Sequence, residues 1–501
     1  MKKTYITYTA ACLLGLQLFN SCTKDFLEVQ PKGSILESNY YKNATEIFNG
    51  IIAAYDPLGA ETGNSYTSRA ATLNSASDDT YAGGGSSSDM TAWQAWNNFT
   101  VDASIGPQED LWDTRYTGVY RTNLILSKID GVPDLSEEDA ARYMAEAKFL
   151  RAFYYFDLVR LFGNIPLITE SIPTEEIFNQ QQVGPEMVYA QIEQDLTEAI
   201  PDLPNSVPVF SEGGRATKGA AQALLGKVYL YEKKWAQAAS MLAEVNGTPG
   251  STNNYGNRLL SNFGDIFLPD NEFNSESIFE IAHTGVAQQG WGSWGSFEGN
   301  VGVQMVGPRG YSGPTYVAGW GFNPLTLDLV NALKGDPRYK YTVANIDSIA
   351  ANTPGASYEE SYQNTGYFIE KYAPKVQWRA EVGDPALNFP HNLIEIRLAD
   401  TYLMEAEALV QAGTNATRAA ALLNAVRARV GLDPVAATLD NIYNERRLEL
   451  ATEGHRFFDL VRTGQAPTKL AFKGFKANRN EVLPIPLAEL NNTSLKQNQG
   501  Y

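Results

Sequence analysis

The chain has 501 residues, 44% of them apolar, enough to bury one extended core with elaborations. It carries 57 acidic residues against 39 basic ones, a net charge of −18, which argues against nucleic acid as a partner because phosphates demand basic surface. No run beyond the N-terminal leader approaches the length of a membrane span.

Lys2 and Lys3 give a short positive start, and Tyr5 to Phe19 is mostly apolar and uncharged. This run is too short and too polar for a good span and reads as an export signal. It ends at Phe19-Asn20-Ser21-Cys22, which looks like a lipobox, although Phe19 stands where leucine is usual and Asn20 is bulkier than the common alanine or serine. Residues 1–21 are therefore expected to be a lipoprotein signal peptide, with Cys22 acylated after the cut. An ordinary secretory signal is the alternative. Lys24-Asp25 behind it is faintly like a signal for the cell surface. The chain has two cysteines, and with Cys12 inside the signal the mature part forms no intramolecular disulfide and no cysteine metal site.

From Asp56 to Pro107 the chain is rich in Gly, Ser, Thr and Asn and reads as a loop region. It contains Ser77-Asp78-Asp79-Thr80-Tyr81, a Gly83-Gly84-Gly85 turn and Trp93-Gln-Ala-Trp96-Asn97-Asn98. Trp112, Tyr116 and Val119 follow at helical spacing, as core residues do. Ser136 is placed to cap a helix to Leu161 with acids in its first turn; Tyr143, Ala147, Leu150, Tyr154 and Leu158 line its apolar stripe, and Gly163 ends it. A further helix spans about 184–200, before Pro201.

Ala216 to Val245 holds Leu225-Gly226-x-x-Tyr229, then Trp235 and Ala238, the spacings of a tetratricopeptide unit. Ile394 to Val430 gives another helical pair: Tyr402, Ala406 and Leu409, a break at Gly413-Thr414-Asn415, then Ala419, Leu422, Leu423 and Val426. Such repeats need neighbours to bury their faces, so a solenoid assembled from both halves of the chain is expected, with a generic bundle as the alternative.

The second break in helical pattern is Ala282 to Phe322, with Trp291-Gly-Ser-Trp294, Tyr311, Tyr316 and Trp320. Five of the eight tryptophans fall in the two loop regions, the wrong place for indoles whose task is to fill a core. Such rings suit sugars. An indole covers the apolar face of a pyranose, and Asp, Asn, Gln or Arg hydrogen-bond the hydroxyl rim. The candidate ligand residues are Trp93, Trp96, Trp291, Trp294 and Trp320, with Asp78, Asp79, Asn97 and Arg69 as polar partners. Loop packing or contact with a protein partner is the alternative for any one of them. Asp78-Asp79 also suits a helix cap or a structural calcium; no other cofactor or metal is expected. His283, His391 and His455 form no metal or triad pattern, and no carboxylate pair stands in a recognisable hydrolase motif, so no enzyme activity is expected.

Near the end lies Asn444-Glu-Arg-Arg-Leu-Glu-Leu-Ala-Thr-Glu-Gly-His-Arg-Phe-Phe-Asp-Leu-Val-Arg-Thr-Gly464. Physically it reads as a charged helix that stops at Gly454, its arginines and carboxylates pairing with one another. As a signature it resembles the C-terminal motif of the SusD/RagB family of Bacteroidetes outer-membrane lipoproteins. Asp25-Phe26-Leu27-Glu28-Val29-Gln30-Pro31, Leu111-Trp112-Asp113 with Tyr116 and Asn123, Phe149-Leu150-Arg151-Ala152-Phe153-Tyr154 and Gly163-Asn164-Ile165-Pro166-Leu167 resemble the family's other landmarks. The resemblance implies a mainly α fold in one domain over 22–501. Tetratricopeptide-like repeats would lie at about 136–245 and 394–464, and loop-rich ligand-face segments carrying short strands at about 56–107 and 282–390. It further implies non-catalytic capture of an oligosaccharide or polysaccharide at the outer face of the outer membrane, through a lipid anchor. Delivery would be to a SusC-like TonB-dependent transporter. A peptide or glycopeptide cargo, or a repeat scaffold that binds protein only, are the alternatives. Family loops diverge too strongly for any ligand residue to be carried over.

Overall fold

The computed structural model describes residues 40–59, 69–286, 290–293, 298–491 and 493–501. The leader, Cys22 and Trp294 lie outside the described residues.

The fold is mainly α, as expected. The region from 56 to 107 is less loop-like than its composition suggests. It begins in the last turn of α1 (Ala44–Gly59) and contains two short helices, α2 (Arg69–Ser75) and α3 (Thr91–Asn97), both sunk into the body. Next come α4 (Gln108–Lys128) and the long α5 (Glu137–Phe162). Ser136 caps α5: its Oγ accepts from the Asp139 amide at 3.0 Å, and Glu137, Glu138 and Asp139 place negative charge where the helix dipole favours it. From Ala145 onward nearly every residue of α5 is buried, so this helix is the central post of the main core.

Helix α6 (Pro185–Ala199) packs on α5 and starts with proline, whose missing amide costs nothing there. Thr217 caps α7 (Lys218–Tyr231), which turns back as α8 (Trp235–Asn246). Gly226 sets how closely this pair approaches: a Cβ there would lie 2.5 Å from Leu242 Cγ. The second pair, α9 (Leu398–Gln411) and α10 (Ala416–Arg429), is broken by a turn in which Asn415 takes φ 43° and accepts from the Arg418 amide at 3.2 Å. The two pairs stack through one apolar layer that includes Leu230, Leu242, Leu398, Tyr402 and Leu422. Each such side chain contributes roughly 1.5–3 kcal/mol on burial. Asn246 seals the seam, donating to Thr401 O at 3.0 Å and to Glu405 Oε2 at 2.8 Å. The repeats of the two halves thus form one stack, and the segment between them is free to carry loops.

That segment holds short antiparallel strand pairs. Ser277–Ile281 pairs with Leu393–Arg397, and Val343–Asn345 with Tyr367–Ile369. A further short pair joins Ile165–Pro166 to Gln182–Val183. Helices α11 (Leu439–Glu449) and α12 (Arg456–Arg462) then close the body. Among the described residues no helix is long and apolar enough to cross a membrane.

Candidate functional site

The C-terminal motif is built differently from its sequence reading. Helix α11 stops at Glu449, and a turn through Thr452 (φ 69°) and Gly454 (φ 82°) leads into α12. Most of its charges answer distant residues rather than one another. Arg338 donates to Glu445 at 2.6 Å and to Glu449 at 2.9 Å. Arg397 donates to Glu449 at 2.6 Å and to Glu453 at 2.8 Å, and Lys371 to Glu453 at 2.6 Å. Arg446 reaches Asp400 at 2.7 Å, and Arg462 reaches Glu407 at 2.6 Å. Within the motif, Arg446 and Arg462 share Asp459. Glu445, Glu449 and Glu453 recur every four residues and present one buried acidic edge to cations from several segments. Burial alone would raise Glu449 and Glu453, but the guanidiniums around them hold both carboxyls below the ordinary value.

This network also claims the acidic pair assigned to ligand. Arg456 grips Asp78 through Nε at 2.7 Å and Nη2 at 2.8 Å, while Arg447 reaches Asp79 at 2.8 Å and Asp328 at 2.7 Å. Burial would push both aspartates up. The hydrogen bonds and charge of Arg456 hold Asp78 below its ordinary value, whereas burial, with Asp78 alongside, leaves Asp79 raised. Both carboxylates are buried and structural rather than on a sugar rim.

The other first-loop candidates are corrected in the same way. Trp93 is 0% exposed and meets Phe322 edge-on at 5.3 Å; Trp96 is 1% exposed and meets Phe457 at 5.6 Å. The two indoles sit three residues apart on the buried face of α3, so they are core anchors. Asn97 is buried and its Oδ1 accepts from the Ala82 amide at 3.1 Å. Arg69 is turned inward, donating to both oxygens of Asp157 at 2.9 Å and to Glu395. None of these six side chains presents a surface for a glycan.

The second loop region instead carries an exposed indole. Trp291 is 43% exposed and stacks on Trp320, with ring centroids 6.1 Å apart and planes 24° apart. Trp320 is half-buried, its amide donating to Gln304 O at 3.0 Å and its ring packed on the apolar cluster of Phe322, Leu325 and Met305. The Trp291 indole N–H donates to Asp384. Asp384 is itself fixed, its other oxygen accepting from the Ala386 amide at 2.9 Å. An inner indole anchored to the core thus supports an outer one whose edge is tied down and which remains 43% exposed. Sequence reasoning missed Asp384, because a contact spanning 93 positions leaves no local signal.

The histidines offer no acid–base group near neutrality. Burial pushes His283 down to about 4, and His391 and His455 to about 3. Among the described residues no cluster of three or more His, Cys, Asp or Glu is arranged to hold a metal ion.

The architecture is that of a helical-repeat scaffold presenting a loop-borne indole stack, sealed by a buried arginine–carboxylate motif. A sequence model of the SusD family matches residues 331–501, and a second, described as starch-binding associating with outer membrane, matches residues 25–230. A solved structure of a laminarin-binding SusD-like protein is similar at a TM-score of 0.88 and 48% identity, covering 92% of this chain and 100% of its own. Surface glycan-binding protein A from Bacteroides thetaiotaomicron, solved in complex with laminarihexaose, is similar at a TM-score of 0.83 and 28% identity, over 91% of this chain and 99% of its own. A SusD-like protein of Formosa agariphila is 28% identical over 94% of both chains. The chain belongs to the SusD/RagB family.

Proposed function

We propose that this protein captures a β-glucan of the laminarin class at the outer-membrane surface, holds it without cleaving it, and hands it to a SusC-like TonB-dependent transporter. Cys22 serves as its lipid anchor. The observation that carries this reading is the exposed Trp291 ring stacked on a core-anchored Trp320. A pre-ordered flat ring meets the C–H face of a glucose unit without first losing side-chain freedom, and an aromatic platform of this kind accepts successive units of a chain. The names of its relatives support the glucan class, since two of the similar structures are a laminarin binder and a laminarihexaose complex. The names of similar proteins, which describe glycan binding rather than catalysis, support a non-catalytic role.

Affinity electrophoresis of the soluble chain starting after Cys22 tests the reading, with laminarin, starch or xylan cast in the gel and reducing ends assayed in parallel. Retardation by laminarin without new reducing ends is expected. Retardation by none of the three would overturn the glucan assignment, and new reducing ends would overturn the non-catalytic one.

A further inference from the structure

A second concavity lies among α4, the loop from Pro166 to Gln180 and the C-terminal stretch from Ala488 to Leu495, and it shares no lining residue with the indole stack. Its volume is about 540 Å3, within the range of built ligand sites. The wall is rigid. Trp112 packs on Tyr116 at 4.8 Å, Tyr116 donates to Pro166 O at 2.7 Å, and Asn123 ties down Ile168 O at 2.8 Å. At the rim stand Tyr120, Ile177 and Phe178, exposed by 53, 49 and 58%. Three large, partly exposed apolar side chains around one cavity are the composition of an interface rather than of an idle surface.

The charge of the cavity is one-sided. Asp113, Glu170 and Glu489 line it, and among the described lining residues there is no lysine, arginine or histidine. The charges bearing on Asp113 are carboxylates: Glu489, Glu109 and Asp110. Partial burial, followed by these like charges, pushes the still exposed Asp113 up to about 6, and burial likewise raises the half-buried Glu489. A like-charged group held in an aromatic cup is relieved by a cation that brings apolar flanks with it. Val119, Ile168, Ile172 and Leu495 add an aliphatic wall on which apolar flanks can pack.

We infer that this groove is a docking site for a peptide segment of a protein partner that carries a lysine or arginine between apolar side chains. The basic group seats between Asp113 and Glu489, and the flanking residues pack on Tyr120 and Phe178.

An immobilised array of pentapeptides tests this. The central residue is Lys, Arg, Glu or norleucine, and the four flanking residues are drawn from Leu, Phe, Val and Ala. Lys- and Arg-centred peptides are expected to retain the soluble chain about tenfold better than their norleucine isosteres, and Glu-centred ones least of all. The Asp113→Asn/Glu489→Gln variant keeps the melting temperature and loses the preference for the basic centre. Tyr120→Ala weakens capture by every peptide. Equal or absent signal across the array would overturn the inference. So would displacement of a bound basic peptide by laminarihexaose in the Trp291→Ala/Trp320→Ala variant, which would make the groove a sugar site instead.

Discussion

Arg456 closes a two-point fork on Asp78, Nε and Nη2 at 2.7 and 2.8 Å from its two oxygens, across 378 positions of sequence. With Arg447 on Asp79 and Lys473 donating to Ser75 O at 2.8 Å and Thr80 O at 2.6 Å, the C-terminal region clamps the segment after α2 from two sides. The family motif is therefore a structural lock on the segment after α2.

Removing one partner of a buried ion pair strands the other charge, at a cost of about 3–5 kcal/mol. Arg456→Ala is expected to lose that much in urea unfolding, with no change in glucan affinity for the fraction that stays folded. A loss below about 1 kcal/mol, the worth of an exposed pair, would show that the fork is not the lock described here.

Trp93 and Trp96 provide the matching contrast in the core. Truncating either to alanine leaves a cavity beside Phe322 or Phe457 and is expected to cost about 3–5 kcal/mol. Trp291→Ala, made at a ring already 43% exposed, is expected to leave the melting temperature nearly unchanged. Equal melting shifts for Trp93→Ala and Trp291→Ala would contradict the burial assigned to α3.

The helical frame was legible because its signals are local. Ser136, Thr217 and Asn415 each act on an amide three residues away, and Gly226 meets a helix in the same repeat unit. The candidate site was legible only in part. Helix α3 lies in a Gly- and Ser-rich stretch, so its tryptophans read as loop aromatics, and what buries them, Phe322 and Phe457, comes from far along the chain. Asp78 and Asp79 read as free carboxylates for the same reason, since their arginines arrive with the last helices. Trp291 and Trp320 sit in loops as their surroundings suggest, but the stack between them and the Asp384 tether exist only once the chain is folded.

Gly226 is a test of the repeat geometry. Alanine in place of a helix-interior glycine gains about 1 kcal/mol from backbone entropy alone. Here the new Cβ would meet Leu242 Cγ at 2.5 Å, and overpacking costs about 1–3 kcal/mol, so Gly226→Ala is expected to destabilise. A rise in melting temperature would show that α7 and α8 have room to spare.

His391 is buried, and burial, then Lys375 and His283, push it down to about 3. An imidazole with a lowered folded value contributes stability that is full above its ordinary value of about 6.5 and is lost as pH falls through the window below it. Glu272, pushed up to about 8 by burial, works in the opposite direction over part of that range, so total stability is a poor readout. The difference between wild type and His391→Asn isolates the histidine. From pH 7 to pH 4.5, wild type is expected to lose about 2–3 kcal/mol more than the variant in urea unfolding. Parallel losses would mean that the imidazole is solvated or charged in the folded protein.

Calorimetric titration of laminarihexaose into the soluble chain starting after Cys22, beside Trp291→Ala and Trp320→Ala, tests the proposed capture role most directly. Wild type is expected to bind, and each variant to lose about tenfold or more in affinity, the scale of one lost aromatic platform, while keeping its fold by circular dichroism. Undiminished binding by both variants would contradict the account by showing that the indole stack is not where the glucan sits.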